Sequence, residues 1–124
     1  MKFTQQRTEG ANVIRRYGAD FILIGEQEVR ASCIISASTL APWAPRRVED
    51  LTPASLEPLF VLMPEVVVLS TGATQQFPRA ALRAEFATRR IGLEVMEIGA
   101  ACRTYNVLVG EERRVLAAVL LPGT

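Results

Sequence analysis

The run Val66-Val67-Val68-Leu69 constrains this chain more than any other feature. Consecutive apolar residues with no polar alternation form a strand that has to be covered on both faces, as in a sheet packed between other layers. Ser70-Thr71-Gly72-Ala73 then reads as a loop, and Pro78 opens a helix that runs to about Arg90. Leu82 and Phe86 are one turn apart on its inner face, with Arg79, Arg83, Arg89 and Arg90 outward, and Gly92 is expected to end it in the left-handed conformation. A short strand, Leu93 to Glu97, follows. Strand, helix, strand is a βαβ unit, whose strands run parallel with a right-handed crossover.

The flanks supply the rest of the sheet. Asn12 to Tyr17 mixes polar and apolar residues, Gly18-Ala19-Asp20 is a turn, and Phe21-Ile22-Leu23-Ile24 is an apolar strand. After a second turn at Gly25-Glu26-Gln27-Glu28, Val29 to Ser36 reads as a further strand centred on Cys33-Ile34-Ile35, so these pieces form an antiparallel meander. Ala37 to Arg47 carries Pro42 and Pro45 around Trp43, which argues against a regular element there. Thr52 is an N-cap with Pro53 in the first helical position; Leu56, Leu59 and Phe60 share a face, and Pro64 ends the helix. A helix from about Ala100 to Val109, closed by Gly110, and a strand from Val115 to Leu121 complete one α/β domain over residues 1–124, with the early strands joining one mixed sheet.

Composition narrows the chemistry. Among 124 residues there is no histidine, which excludes histidine-based zinc sites and Ser-His-Asp or Cys-His machinery. A net charge of +1 supplies no field for nucleic acid, and no basic stripe or aromatic platform is present. Met1 to Arg7 lacks a signal-peptide core, and the longest apolar run is far short of the ~20 residues of a membrane span. Cys33 and Cys102 stand far apart without a CxxC partner, so a reducing cytoplasm is expected, with neither a metal nor a disulfide framework.

Each candidate site has a structural reading beside it. The loop Ser70 to Thr74, between a buried strand and a helix start, suits a small anionic ligand or nucleotide held by backbone N–H groups. It lacks GxGxxG and a Walker lysine, and a plain βα connection needs the same residues. Cys102, near a helix start and beside Arg103, is a candidate nucleophile, because a helix N-terminus and a cation both favour thiolate. It has no base, and small buried cysteines are common; Cys33 reads as core. In Arg103-Thr104-Tyr105-Asn106, Tyr105 is expected to pack inward and bond its hydroxyl locally. Asn106 is costly within a helix, which implies a side-chain bond to a loop or a ligand. Glu94 and Glu97, placed three apart on a strand, fall on opposite faces, which argues against paired carboxylate catalysis. Glu111-Glu112-Arg113-Arg114 is a solvated turn from which Arg114 is a candidate to reach a carboxylate. Trp43 either caps the core or stands partly exposed as a contact anchor.

Several of these segments, in order, resemble the Mth-like domain family. They are Val66 to Gly72, Pro78, Ile91-Gly92-Leu93-Glu94-Val95-Met96, Ala101 to Leu108, and Arg113 to Ala118, with Phe21 to Trp43 and Leu51-Thr52-Pro53 also fitting, so that about 12–122 is covered. Two departures stand out: Ser70 replaces the first glycine of a Gly-Thr-Gly loop, and Ser36-Ala37-Ser38 stands where a proline is usual. The resemblance implies three layers, with a central mixed sheet, flanking helices and a small β element. The family includes a mitochondrial assembly factor of respiratory complex I and an adipogenesis-associated protein, and it transfers no catalytic activity or cofactor. The expectation is a cytoplasmic, non-enzymatic domain binding a protein partner or small ligand and assisting respiratory complex assembly. Its test surface is Ser70, Thr71 and Gly72 with Cys102, Arg103, Thr104, Tyr105 and Asn106, two junctions meeting in one cleft. A thiol-dependent enzyme using Cys102 and an anion or nucleotide binder at Ser70 to Ala73 remain open.

Overall fold

In the computed structural model, which describes residues 10–123, every residue of β6 (Val66–Ser70) is buried. It pairs in parallel with β7 (Gly92–Met96) on one side and β8 (Val115–Pro122) on the other. β8 runs antiparallel to β4 (Ala31–Ser36), and β4 to the short β5 (Leu40–Pro42), giving the order β5-β4-β8-β6-β7. The segment Met1 to Arg7 lies outside the described residues.

Alternation along the central strands sorts the core into two halves. Val66, Val68, Val115, Ala117, Val119 and Leu121 point to the face covered by α3 (Ile98–Gly110). Val67, Leu69, Leu116, Ala118 and Leu120 point to the face covered by α1 (Pro53–Val61) and α2 (Ala80–Thr88). Each fully buried Leu, Ile or Val side chain contributes roughly 1.5–3 kcal/mol. The run Val115 to Leu121 is therefore apolar throughout because both of its faces are covered.

The early strands do not join the main sheet. β1 (Ile14–Gly18), β2 (Phe21–Ile24) and β3 (Gln27–Val29) make their own antiparallel three-stranded sheet, and Ile14, Ile22 and Ile24 are its buried contributions to the α3 side. The remaining residues of these strands are exposed or half-buried, and a strand with one wet face cannot sit in a doubly covered sheet. The stretch Val29 to Ser36 accordingly divides at Arg30 between two sheets. β5 forms inside the proline-rich segment because Pro42 ends an edge strand, where a missing N–H costs nothing. Trp43 packs into the core: it is 6% exposed and its Nε1–H donates to the Ser55 carbonyl at 2.9 Å.

Helix ends also differ from expectation. Arg90, with φ 59°, makes the left-handed turn after α2, while Gly92 opens β7 and donates to the Glu65 carbonyl. After α3 the left-handed residue is Glu112 at φ 62°, and Gly110 is still helical. α2 starts at Ala80 and α3 at Ile98, so Glu97 lies outside the strand and caps α3. Among the described residues no helix is long and apolar enough to cross a membrane.

The start of α1 follows the sequence reading, with a reciprocal box added: Ser55 N–H donates to Thr52 Oγ1 at 3.2 Å, and Thr52 N–H to Ser55 Oγ at 3.0 Å. Thr52→Ala should lower stability by about 1 kcal/mol. This would be read as a lower urea midpoint with an unchanged slope; an unaltered midpoint contradicts the capping role.

Candidate functional site

The loop after β6 is tied to itself. Thr71 Oγ1 donates to the Thr74 carbonyl at 2.7 Å and accepts from Gln76 N–H at 3.2 Å, while Thr71 N–H donates to the Met96 carbonyl at 2.9 Å. Gly72 takes φ 94°, a left-handed value, and a Cβ there would meet nothing within 4 Å. The glycine thus serves a backbone turn, not a close approach. Ser70 is fully buried on the α3 side of β6, and its hydroxyl has no hydrogen-bond partner among the described residues. The helix expected to start beside this loop begins only at Ala80, so the N–H groups of its first turn do not belong to the Ser70 to Ala73 stretch.

The loop meets α3 instead. Ile98 N–H donates to the Gly72 carbonyl at 2.8 Å. The two carboxylate oxygens of Glu97 accept from Gly99 and Ala100 N–H, each at 2.7 Å. Those two bonds, with a smaller push from the Arg103 guanidinium, hold the Glu97 carboxyl below its usual range. The end of the helix dipole that would draw an anion or a thiolate is therefore occupied by the chain's own carboxylate.

α3 then turns the polar tetrad in two directions. Arg103 is exposed and its Nη1 donates to the Tyr17 hydroxyl at 2.8 Å. Tyr105 is fully buried and its hydroxyl donates to the Asn12 carbonyl at 2.7 Å, a partner 93 residues away and not the local one expected. Asn106 makes both bonds to one backbone residue: Ile14 N–H donates to Oδ1 and Nδ2 donates to the Ile14 carbonyl, each at 2.9 Å. The side-chain bond expected of Asn106 is thus a structural clamp on β1. Thr104 is half-buried, about 9 Å along the axis from Ile98 at 1.5 Å per residue. The two junctions meet at the first turn of α3, while Tyr105 and Asn106 face β1.

Cys102 lies in the second turn, 2% exposed. Burial, reinforced by the Glu97 charge and opposed by Arg103, pushes its thiol up to about 12. Cys33 is likewise buried and pushed up to about 12 by burial. An activated nucleophile needs the opposite shift. Arg114 reaches the Glu65 carboxylate through its backbone, its N–H donating to Oε1 at 2.9 Å, while its Nε donates to the Met63 carbonyl; the guanidinium beside Glu65 is that of Arg113, with Nε 3.2 Å from Oε2. The cavities among the described residues include one of 430 Å³ beside Asn12, Arg15 and Leu40, and one of 460 Å³ beside Leu62, Pro64, Val109 and Arg114. Among the described residues no group of three or more Cys, Asp or Glu is placed to hold a metal ion.

Sequence reasoning missed Tyr17 and Asn12, and it set Glu97 on a strand. The cost of an asparagine inside a helix was the one available signal, and it pointed to a bond without naming a partner far away in the chain.

A family described as a protein of unknown function (DUF498/DUF598) matches residues 14–120. A protein of Danio rerio named NADH dehydrogenase (ubiquinone) 1 alpha subcomplex assembly factor 3 is 31% identical over 120 residues, covering 95% of this chain and 68% of that protein. The chain spans 65% of the human protein of the same name. A solution structure from Xanthomonas campestris superimposes with a TM-score of 0.86 at 35% identity, over 99% of this chain and 94% of that one. A Mth-like domain of Bordetella pertussis shares the fold, with a TM-score of 0.80 at 24% identity over 99% of this chain and 94% of its own.

The buried thiols give a pH test. Unfolded, they release protons at their ordinary 9.0, whereas folded they hold them to about 12. Their contribution to stability is fully present below pH 9 and is lost as pH rises toward 12. Urea midpoints should fall across that window, and thiol reagents should label both cysteines only as fast as the chain opens. Rapid labelling of Cys102 near neutral pH contradicts this account.

Proposed function

This chain belongs to the DUF498/DUF598 family, and on that footing we propose that it is a non-catalytic protein-binding domain that assists assembly of a respiratory NADH dehydrogenase. The observation that carries the reading is the 31% identity, across 95% of this chain, to a protein named as an assembly factor of that complex. An adapter needs a stable fold and an exposed patch, and no reactive group. The arrangement fits: Tyr105, Asn106 and Glu97 spend their polar atoms on the fold.

The patch we favour joins the Thr71-Gly72 loop to the outer side of α3. Arg103 and Val107, one turn apart, are exposed there with Tyr17 beside them, the last two being 58% and 40% exposed. The Tyr17 hydroxyl holds the guanidinium in place, so its fork is pre-organised for a carboxylate on a partner. Two buried free cysteines suit a reducing compartment, and we place the domain in the cytoplasm. The raised thiol of Cys102 weighs against the thiol-dependent alternative, and the Glu97 cap weighs against an anion at this helix end.

A tagged chain isolated from its native host should bring down subunits of the NADH dehydrogenase. Arg103→Glu with Val107→Asp should cut that recovery at least tenfold, about 1.4 kcal/mol, with unfolding unchanged. Full recovery with the double variant rejects the patch; absence of those subunits from the wild-type isolate rejects the assembly role.

A further inference from the structure

Among the described residues β7 is an edge strand with no further strand on its outer side. Gly92 N–H donates to the Glu65 carbonyl and the Met96 carbonyl accepts from Thr71 N–H, which sets the phase of the parallel ladder. Gly92, Glu94 and Met96 therefore turn their backbone groups toward β6, and Leu93 and Val95 turn theirs outward. The Val95 carbonyl is met by Gln75 Nε2 at 2.9 Å. Leu93 N–H, Leu93 C=O and Val95 N–H have no partner among the described residues. Such a row is a template for another strand unless it is covered, bulged or charged against it.

The charges around this edge are one-sided. α2 packs against β7 on the Leu93 and Val95 side. Its exposed Arg79, and Arg83 and Arg90 with it, have no carboxylate within ion-pair distance among the described residues. Arg83 Nε donates back to the Pro78 carbonyl at 3.1 Å, which draws its guanidinium toward Arg79 at the start of the helix. Phe77, directly before Pro78, is 62% exposed. On the opposite side of the strand the exposed charge is acidic, Glu94.

We infer that the free edge of β7 receives an extended acidic segment of a partner protein as a sixth strand, with its carboxylates on the α2 side. Alternation in the added strand sends every second side chain toward the arginines and the others toward Glu94. The fitting segment is thus acidic at alternate positions and uncharged or basic between them. Charge also decides against a second copy of this chain. Two β7 edges paired about a two-fold axis set one arginine-bearing α2 beside another and offer no carboxylate to either. This inference concerns a different surface from the Arg103 patch and stands independently of the assembly role.

The test uses the full chain and a fluorescein-labelled peptide, Thr-Glu-Val-Glu-Thr-Glu-Val-Glu, with a counterpart carrying lysine for each glutamate. The glutamate peptide should bind saturably and at least tenfold more tightly than the lysine peptide. It should slow hydrogen exchange at the Leu93 and Val95 amides. Arg79→Glu with Arg83→Glu, both at exposed positions, should weaken it at least tenfold and reverse the preference. Four results overturn the inference: no saturable binding, equal binding of both peptides, binding that leaves the two amides unprotected, or a concentration-dependent dimer that protects those amides without peptide.

Discussion

Side chains of α3, Asn106 foremost, fasten the small sheet to the helix that lies between it and the main sheet. Asn106 answers both the N–H and the C=O of Ile14, and its neighbour Tyr105 bonds the carbonyl of Asn12, so the lead-in and first strand of the small sheet are fastened to the middle of α3. An edge strand presents unpaired backbone groups, and burying them without partners costs about 1–3 kcal/mol each. The amide of asparagine carries a donor and an acceptor side by side, which no apolar residue and no hydroxyl reproduces. Its poor helix propensity is a small loss, a few tenths of a kcal/mol, beside that gain.

That clamp shapes what remains available for function. Since Tyr105 and Asn106 are turned toward β1 and Cys102 toward the sheet, α3 presents Arg103 and Val107 outward, steadied by Tyr17. Glu97 fills the positive end of the helix, and the Thr71 hydroxyl fills its own loop. The outer side of α3 is left with a guanidinium, a phenol and apolar groups held on rigid elements. Such groups recognise a partner through burial and charge matching. The likeness to a protein named as an assembly factor points the same way.

Legibility in the sequence followed the range of the interaction. The covered run at Val66, the Thr52 cap and the unbroken apolar stretch from Val115 declare themselves within a few residues, and all appear where expected. Gly92 misled because glycine is only the commonest left-handed residue; Arg90 and Glu112 take that conformation in local helix-end turns, where Ile91 N–H donates to the Phe86 carbonyl and Arg113 N–H to the Leu108 carbonyl. The residue pattern showed the small sheet only as a meander, since its separation depends on which face of Ile22 and Ile24 is covered by distant α3; the small β element beside the central sheet was implied by the family resemblance, and the structure has it. The candidate site was legible in its residue types and not in their directions. Helical spacing placed Tyr105 inward correctly, yet its partner, and that of Asn106, lie more than ninety positions away, beyond any local pattern.

The central claim is that α3 and β1 form one cooperative unit through Asn106. Native-state hydrogen exchange at the Ile14 amide tests it most directly. This account has that amide exchanging only with global unfolding, with the same opening free energy as the buried strand β6, despite its place on a short edge strand. Exchange at Ile14 through a local opening several kcal/mol cheaper than that of β6 would contradict it.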